Sequence, residues 1–194
     1  MLSRSNVDKS EVQTQDTQHR LAMMQCMAGH VASNSSLDLA VVWTDAPRFI
    51  DKARLLREHL PGTALSFVVG LDTLNRFFLG KYYGLGDQET DRLASLLDSD
   101  FFGHGHRLLV APRSMEQNVQ SSQISKDWMP LFYSSFPVAE RFRKQIISLH
   151  LDHHLQTISS TAVRQACHEG HTEQYQCMVL PSVAAYIEKE RLYR

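Results

Sequence analysis

The spacing of apolar residues predicts short strands and amphipathic helices that alternate along this chain. Four nearly continuous apolar runs have the length of strands and lie at 39–43, 64–69, 107–111 and 146–149. The run at 39–43, with turn residues on both sides, is typical of a parallel strand that is buried on both faces, and the run at 107–111 is predicted to be another buried strand. The run at 64–69 is the clearest of the four and leads directly into Gly70.

Between these runs, apolar residues recur at the spacing of helices that bury one face. The predicted helices lie at about 18–29, 47–59, 93–101 and 181–193, and the second ends before a Pro-Gly pair. In the first helix, Leu21, Met24 and Met27 form a stripe that we assign to the core. In the last helix, Val183, Tyr186 and Ile187 are expected to dock on the sheet.

Two polar stretches are predicted to be loops, namely the residues up to about Thr17 and the segment 113–127. The remaining order of strand, helix and strand predicts an α/β fold with a Rossmann-like parallel sheet. At 194 residues and 43% hydrophobic content, the chain has the size and core of a single domain.

The charge balance argues against nucleic acid or an acidic membrane surface as a partner. The chain has 20 Lys and Arg against 21 Asp and Glu, so its net charge of −1 gives no general attraction for polyanions. Its three cysteines form no Cys-x-x-Cys pair, which suits a reducing compartment. The sequence shows no signal peptide and no apolar window long enough to cross a bilayer. We therefore expect a soluble protein of the cytoplasm or nucleus.

The stretch Ile158 to Arg164, which reads Ile-Ser-Ser-Thr-Ala-Val-Arg, is the strongest candidate site. A helix that begins here presents unpaired amide N–H groups and a positive dipole end to an anion. Ser159, Ser160 and Thr161 add hydroxyl groups, and Arg164 lies one turn after Ser160 on the same face. Helix starts usually favour Asp or Glu, and this one has neither, which indicates a phosphate-binding cradle. The alternative is an ordinary Ser/Thr cap followed by a solvated arginine.

A second candidate site follows the predicted strand 64–69. Ligands of open α/β sheets bind beyond the carboxyl ends of the strands, where Gly70 and Asp72 are expected. Glycine permits close approach of a ligand, and the Asp72 carboxylate can accept hydrogen bonds from two ribose hydroxyls. The alternative is that Asp72 or Thr73 only caps the helix and that Asp72 pairs with Arg76. Further along, Lys81, Tyr82 and Tyr83 supply a cation and two flat rings that could stack on a nucleobase or could cover the sheet edge or the core.

Histidine clusters at 104–106 and 150–154 raise the question of a metal site. His104 and His106 would lie in a turn, and the second cluster would lie at a strand end. Neither cluster has a second half at metal-ligand spacing, so we assign no metal-ligating residue. A zinc site is kept only as a weak alternative.

These segments together resemble the fungal-type nicotinamide-mononucleotide adenylyltransferases of the nucleotidylyltransferase superfamily. The Ile-Ser-Ser-Thr-x-x-Arg stretch is similar to the phosphate-binding motif of that family, and Val-Val-Gly-Leu-Asp-Thr at 68–73, with the later Lys-Tyr-Tyr at 81–83, is similar to its Gly-x-Asp-Thr region. Ser5–Lys9, Arg20–Met24 and Thr44–Lys52 are similar to further segments of the family. The resemblance covers nearly the whole chain.

The resemblance implies one nucleotidylyltransferase-like domain over residues 1–194 and transfer of an adenylyl group from ATP to nicotinamide mononucleotide, with Mg²⁺ accompanying the ATP. It assigns Ser159, Ser160, Thr161 and Arg164 to the ATP phosphates. It assigns Gly70 and Asp72 to a ribose. Arg76, Lys81 and Tyr82 are candidate substrate contacts. No oligomeric state is implied.

The sequence departs from the family at its signature. It contains neither Gly-x-Phe-Asn-Pro nor His-x-Gly-His, and Met27-Ala28-Gly29-His30 is only a coincidental approximation of the second. We therefore assign no catalytic residue and expect that Met1 falls near the end of the family's second strand, so that the first strand is missing. Two hypotheses follow: an adenylyltransferase whose activity is strongly reduced without the signature, or a non-catalytic nucleotide-binding or interaction protein.

Overall fold

The computed structural model describes residues 2–3, 14–111 and 128–194, which fall into two compact units. The helical unit combines Met1–Pro47 with Ile158–Arg194, and the sheet unit is Arg48–Thr157. Whether the two units form the single domain predicted over residues 1–194 depends on how they are joined. The single domain therefore stays a prediction. The predicted loop at 113–127, most of the loop before Thr17 and the Ser5–Lys9 segment lie outside the described residues.

The helical unit is built mainly from helices contributed by both ends of the chain. Its elements are, in order, β1 (Leu2–Ser3), α1 (Thr14–Asn34), β2 (Trp43–Thr44), and then, after the sheet unit, α7 (Ser160–His168), α8 (Thr172–Gln176) and α9 (Pro181–Lys189). The two short strands pair in parallel, with Leu2 opposite Trp43.

The sheet unit alternates strands with helices, as the apolar pattern predicts. Its α-helices and strands are α2 (Phe49–His59), β3 (Ser66–Val69), α3 (Leu71–Phe77), α4 (Thr90–Asp100), β4 (Arg107–Val110), α5 (Trp128–Ser135), β5 (Ile146–Ser148) and α6 (His153–Gln156). Short 3₁₀ helices span Gly80–Tyr83, Phe102–His104 and Pro137–Gln145. The described chain is thus mixed α and β.

The sheet is parallel and has the order β3-β4-β5. Its central strand β4 buries Leu108 and Val110 completely. The sequence predictions of strands at 64–69, 107–111 and 146–149 are therefore confirmed, as are the parallel arrangement and the helix that ends at His59.

One face of this sheet packs on a cluster of phenylalanine rings. Phe101 is fully buried, and its ring centroid lies 5.0 Å from those of Phe77 and Phe102. Phe102 in turn stacks on Phe142 at 4.2 Å. Edge-to-face and stacked contacts of this kind add to the free energy gained from burial alone. The ring cluster is the core of the sheet unit.

The opposite face of the sheet is less covered than parallel strands usually are. The register aligns Val68, Leu109 and Ile147 in one row across the three strands. Val68 is 65% exposed and Ile147 is 38% exposed. Period-two alternation sends every second side chain of the outer strands to this face.

The strand predicted at 39–43 is also largely wrong. Only Trp43 and Thr44 form a strand, and Leu39 is 46% exposed. Strand geometry needs a hydrogen-bonded neighbour, and the described partner, β1, offers only two residues. An apolar run without a long partner remains irregular.

Helices α7, α8 and α9 form the second core, which is small. Its largest buried side chains are Tyr175 and Ile187, with Cys167 beside them. Helix α9 packs against α1 and α8 within the helical unit, and the expectation that the last helix docks on the sheet stays a prediction. Helix α1 is longer than the predicted 18–29, and Met27 of its predicted stripe is 37% exposed, whereas Met23 packs on the helical core. No helix among the described residues is long and apolar enough to cross a membrane.

Candidate functional site

The start of α7 is built by Ser159, as the sequence predicts. Ser159 is the N-cap residue in an extended conformation, with φ −140° and ψ 154°. Its Oγ accepts a hydrogen bond from the Ala162 N–H at 3.1 Å. This satisfies one of the amides that a helix start leaves unpaired. The ordinary capping interpretation is therefore correct for Ser159, although its hydroxyl proton is still available to a ligand.

The remaining groups at this helix start face outwards. Ser160, Thr161 and Arg164 are exposed, and the amides of Ser160 and Thr161 precede the first intrahelical hydrogen bonds. Arg164 Nη2 lies 3.4 Å from Thr161 Oγ1, so the guanidinium reaches back to the first turn. The first turn contains no acidic residue. Hydroxyls, free amides and a cation thus converge on one exposed helix end, which is suited to bind an oxyanion.

The buried side of α7 holds this arrangement in place. Val163 and Cys167 are buried in the helical core together with Ala166. Because these positions alternate with the polar ones at helical spacing, the cradle residues are forced onto the opposite, solvent-facing side.

The second candidate site follows β3, where the sequence places it. Gly70 is the N-cap of α3, and its carbonyl accepts from the Leu74 N–H at 2.9 Å. With φ −85° and ψ 169°, Gly70 has a backbone conformation open to any residue. Asp72 is exposed in the first turn of α3, where the helix dipole favours its negative charge. Asp72 does not cap the helix, because Gly70 is the N-cap residue.

Lys81 and Tyr82 lie on the 3₁₀ helix that follows α3, and Arg76 lies exposed in the last turn of α3. Lys81 Nζ is 5.0 Å from the centre of the Tyr82 ring. The Tyr82 carbonyl accepts a hydrogen bond from Arg48 Nη1 at 3.4 Å. This hydrogen bond connects the segment to Arg48 at the start of α2.

Arg48 is the residue that sequence reasoning missed. It forms a two-point ion pair with Asp51, at 2.7 Å from Nε and 2.9 Å from Nη2. The hydrogen bond to Asp51 raises the pKa of the Arg48 guanidinium. Its guanidinium also lies 5.7 Å from the centre of the Tyr83 ring. The signal in the sequence was the Arg-x-x-Asp spacing at a helix start.

Tyr83 and Lys52 are structural neighbours of this segment. The Tyr83 hydroxyl donates to the Phe77 carbonyl at 2.9 Å, and burial raises its pKa. Lys52 is 9% exposed and its Nζ lies 4.6 Å above the Phe49 ring. Burial lowers the pKa of Lys52, which makes this side chain a more readily deprotonated amine than a surface lysine. Tyr83 thus supports the fold, and its ring does not serve as a free stacking surface.

The two candidate sites belong to different units. Ser159, Ser160, Thr161 and Arg164 lie in the helical unit. Gly70, Asp72, Arg76, Lys81 and Tyr82 lie in the sheet unit. The prediction that both groups act on one ligand stays a prediction.

His106 has a structural role that argues against metal binding at 104–106. It is fully buried, and its Nδ1 accepts a hydrogen bond from the Leu65 N–H at 3.0 Å. The ring proton of the neutral imidazole is therefore on Nε2, so neither nitrogen offers a lone pair to a metal. In the cluster at 150–154, His150, Asp152 and His154 are exposed. No group of three or more metal-ligating side chains occurs in the described part of the chain.

No protein-family model matches this sequence, and no curated protein is significantly similar to it.

Proposed function

We propose that this protein binds ATP through the N-terminus of α7 and transfers its adenylyl group to nicotinamide mononucleotide, forming NAD and pyrophosphate. The observation that carries the proposal is the exposed start of α7, where two unpaired amides, the hydroxyls of Ser160 and Thr161 and the Arg164 guanidinium converge without an acidic residue. Triphosphates are bound by such combinations of amide dipoles and arginine. The protein would act in the cytoplasm or nucleus.

The same proposal also gives the sheet unit a ligand-binding role. The parallel order β3-β4-β5 is compatible with a Rossmann-like sheet of the nucleotidylyltransferase type. In that fold the carboxyl end of β3 is a ligand-binding edge, where the exposed Asp72 carboxylate would accept hydrogen bonds from a ribose. Gly70 would allow the sugar to approach the backbone, and Arg76, Lys81 and Tyr82 would contact the remainder of the substrate.

The chemistry requires charge neutralisation and alignment more than covalent participation of the protein. A phosphate oxygen of the mononucleotide attacks the α-phosphorus of ATP, and the bond between that phosphorus and the pyrophosphate oxygen breaks in line. Arg164 and the α7 amides would stabilise the charge that develops on the leaving pyrophosphate. Mg²⁺ would enter as part of the ATP substrate, since magnesium commonly binds through phosphates and water with few protein ligands.

An alternative is a nucleotide-binding protein without catalysis. It is favoured by the absence of the Gly-x-Phe-Asn-Pro and His-x-Gly-His motifs from the 194 residues of this chain. Loss of a preorganised donor at the reacting centre costs on the order of 10² to 10³ in rate in other enzymes. Under this alternative ATP binds at α7 and is released unchanged.

The direct test is pyrophosphate release from ATP and Mg²⁺ with nicotinamide mononucleotide. We expect slow turnover in the unmodified chain. In Arg164→Ala the rate of pyrophosphate release should fall at least about tenfold, the usual effect of removing one charge-assisted hydrogen bond. Arg191→Ala is the matched control, because Arg191 is also an exposed arginine of the helical unit but lies outside α7. Its rate should stay unchanged.

Three outcomes separate the hypotheses. Turnover that falls in Arg164→Ala alone supports the adenylyltransferase. No turnover by a folded protein that still binds ATP through Arg164 supports the non-catalytic alternative. If the unmodified protein, Arg164→Ala and Arg191→Ala had the same turnover and the same affinity for ATP, α7 would take no part in nucleotide binding. Both forms of the proposal would then be wrong.

A further inference from the structure

The helical unit contains a cavity of about 420 Å³ at the end of α7 opposite the phosphate-binding cradle. Its walls come from the last turn of α7, from α8 and α9, and from the segment 191–194. Because α7 has nine residues, its two ends are about 13 Å apart along the helix axis. The cavity is therefore a separate place in the molecule, and the proposed function does not use it.

The floor of the cavity is apolar. Tyr175, Ile187 and Cys167 line it and are each less than 7% exposed over the whole residue. Leu192 adds a further apolar wall, while Gly170 and Thr172 contribute little bulk. Concave sites of this size with mostly apolar walls are typical of small-molecule sites.

The segment 191–194 is held over the cavity in an unusual conformation. After α9 the Leu192 N–H bonds back to the Ile187 carbonyl at 3.1 Å, which turns the chain over the helix end. Arg191 and Tyr193 have φ values of 52° and 64°, in the left-handed region that glycine normally occupies. Such backbone outliers concentrate at ligand-binding segments, where the surrounding structure holds them.

The Arg194 guanidinium lies at the edge of this apolar cavity. Arg194 lines the cavity and, within the described residues, forms no ion pair with a carboxylate. Its charge acts on two groups of the floor: burial raises the pKa of the Cys167 thiol and of the Tyr175 hydroxyl, and Arg194 opposes both effects. The nearby Glu188 carboxylate is already engaged by the Tyr175 hydroxyl at 2.9 Å and by Gln176 at 2.7 Å.

We propose that this cavity binds a small aromatic carboxylate. The ring of the ligand would lie against Ile187, Leu192 and the Tyr175 ring, and its carboxylate would bond to the Arg194 guanidinium. An unpaired guanidinium at the edge of an apolar enclosure selects a ligand that combines an apolar body with an anionic group. The Cys167 thiolate takes no part in this binding mode, because burial raises the pKa of the thiol and keeps it protonated.

The experiment is a titration with benzoate and, separately, with its uncharged analogue benzamide, followed by amide shifts in ¹H–¹⁵N NMR spectra of the full chain. We expect saturable shifts at the amides of Thr172 and Ile187 with benzoate, with a Kd in roughly the millimolar range for so small a ligand. Benzamide should bind at least about tenfold more weakly, the effect of losing one charge-assisted contact.

Two variants and a control identify the site. Arg194→Met removes the cation and should weaken benzoate binding about tenfold, to the level of benzamide. Thr172→Trp should fill the cavity and abolish binding of both probes. Arg191→Met is the matched control on the same segment, and it should bind benzoate as the unmodified protein does, because Arg191 does not line the cavity.

The proposal is overturned by benzoate binding that Arg194→Met leaves intact, by equal affinity for benzoate and benzamide, or by no saturation below about 50 mM. ATP binding at the other end of α7 should be unchanged in all these variants, so failure here and failure of the proposed function are distinguishable.

Discussion

The two units of this protein differ in how completely they bury their interiors. The sheet unit packs stacked and edge-to-face phenylalanines beneath a parallel sheet, and its central residues Phe101 and Leu108 have no exposed surface. The helical unit buries few large side chains and has a cavity beside Cys167. The first turn of α7, at Ser160, is exposed and contains no acidic residue to balance the positive end of the helix dipole. The densest aromatic packing is therefore in the sheet unit, whereas the cavity and the exposed start of α7 are in the helical unit.

The comparison predicts that the largest loss of stability comes from the ring cluster. Phe101→Ala should lower the free energy of unfolding of the sheet unit by about 3 to 5 kcal/mol, because it removes a fully buried ring and leaves a cavity. Urea unfolding is followed by fluorescence in a Trp43→Phe background, which leaves the buried Trp128 as the only tryptophan.

Leu131→Ala is the control for this measurement, since Leu131 is an apolar residue of the same unit that is 65% exposed. It should change the free energy by less than about 0.5 kcal/mol. A similar loss for Phe101 and Leu131 would show that the ring cluster does not hold the sheet unit together.

The next largest effect should come from His106, and it depends on pH. Burial lowers the pKa of His106 from the ordinary value of 6.5, and the nearby charge of Arg57 lowers it further. Above pH 6.5 the ring is neutral in both states, so the stability is complete. Below pH 6.5 the His106 ring is protonated in the unfolded protein but stays neutral in the folded protein. Protonation therefore favours unfolding, and the free energy of unfolding falls by at most about 1.4 kcal/mol per pH unit.

His106→Asn provides the test, because its amide oxygen can accept the Leu65 N–H bond without titrating. Unfolding measured at pH 7.5 and at pH 5.5 should show a smaller difference for this variant than for the unmodified protein. His150→Asn, at an exposed histidine, should keep the original difference. If His106→Asn kept it as well, the pH dependence would have another source.

The smallest expected effect on stability lies at the cap of α7. Ser159→Ala removes the acceptor of the Ala162 N–H and should cost about 1 kcal/mol in the helical unit. Ser160→Ala should cost little, because the Ser160 side chain is exposed at the first helical position. Hydrogen exchange at the Ala162 amide separates the two variants: it should become faster in Ser159→Ala only, and equal exchange would contradict the capping geometry.

Local patterns were enough to predict several elements and the cap. The helix that ends at His59, the strands β3 and β4, and the N-cap at Ser159 all follow from apolar spacing and from residues such as Gly70 that interrupt it. These features depend on neighbours within a few positions, so the sequence carries them directly.

Other features depend on residues far apart in the chain. Leu39 is exposed because a strand needs a partner, which apolar content alone does not provide. The docking of α9 on α1, the role of His106 as an acceptor for Leu65, and the contact between Arg48 and Tyr82 join positions separated by 34 residues or more. Tertiary packing decides such contacts, and periodicity cannot.

The most direct test of the central claim is ATP binding by a protein whose helix start carries a negative charge. Ser160→Asp places an acid in the first turn of α7, where the helix dipole favours it, so the helical unit should unfold no more readily than before. Ser160→Asn is the uncharged control. If α7 binds the ATP phosphates, calorimetric titration with ATP and Mg²⁺ should show a loss of at least about tenfold in affinity for Ser160→Asp and little change for Ser160→Asn. Equal affinity in the two variants would contradict the claim.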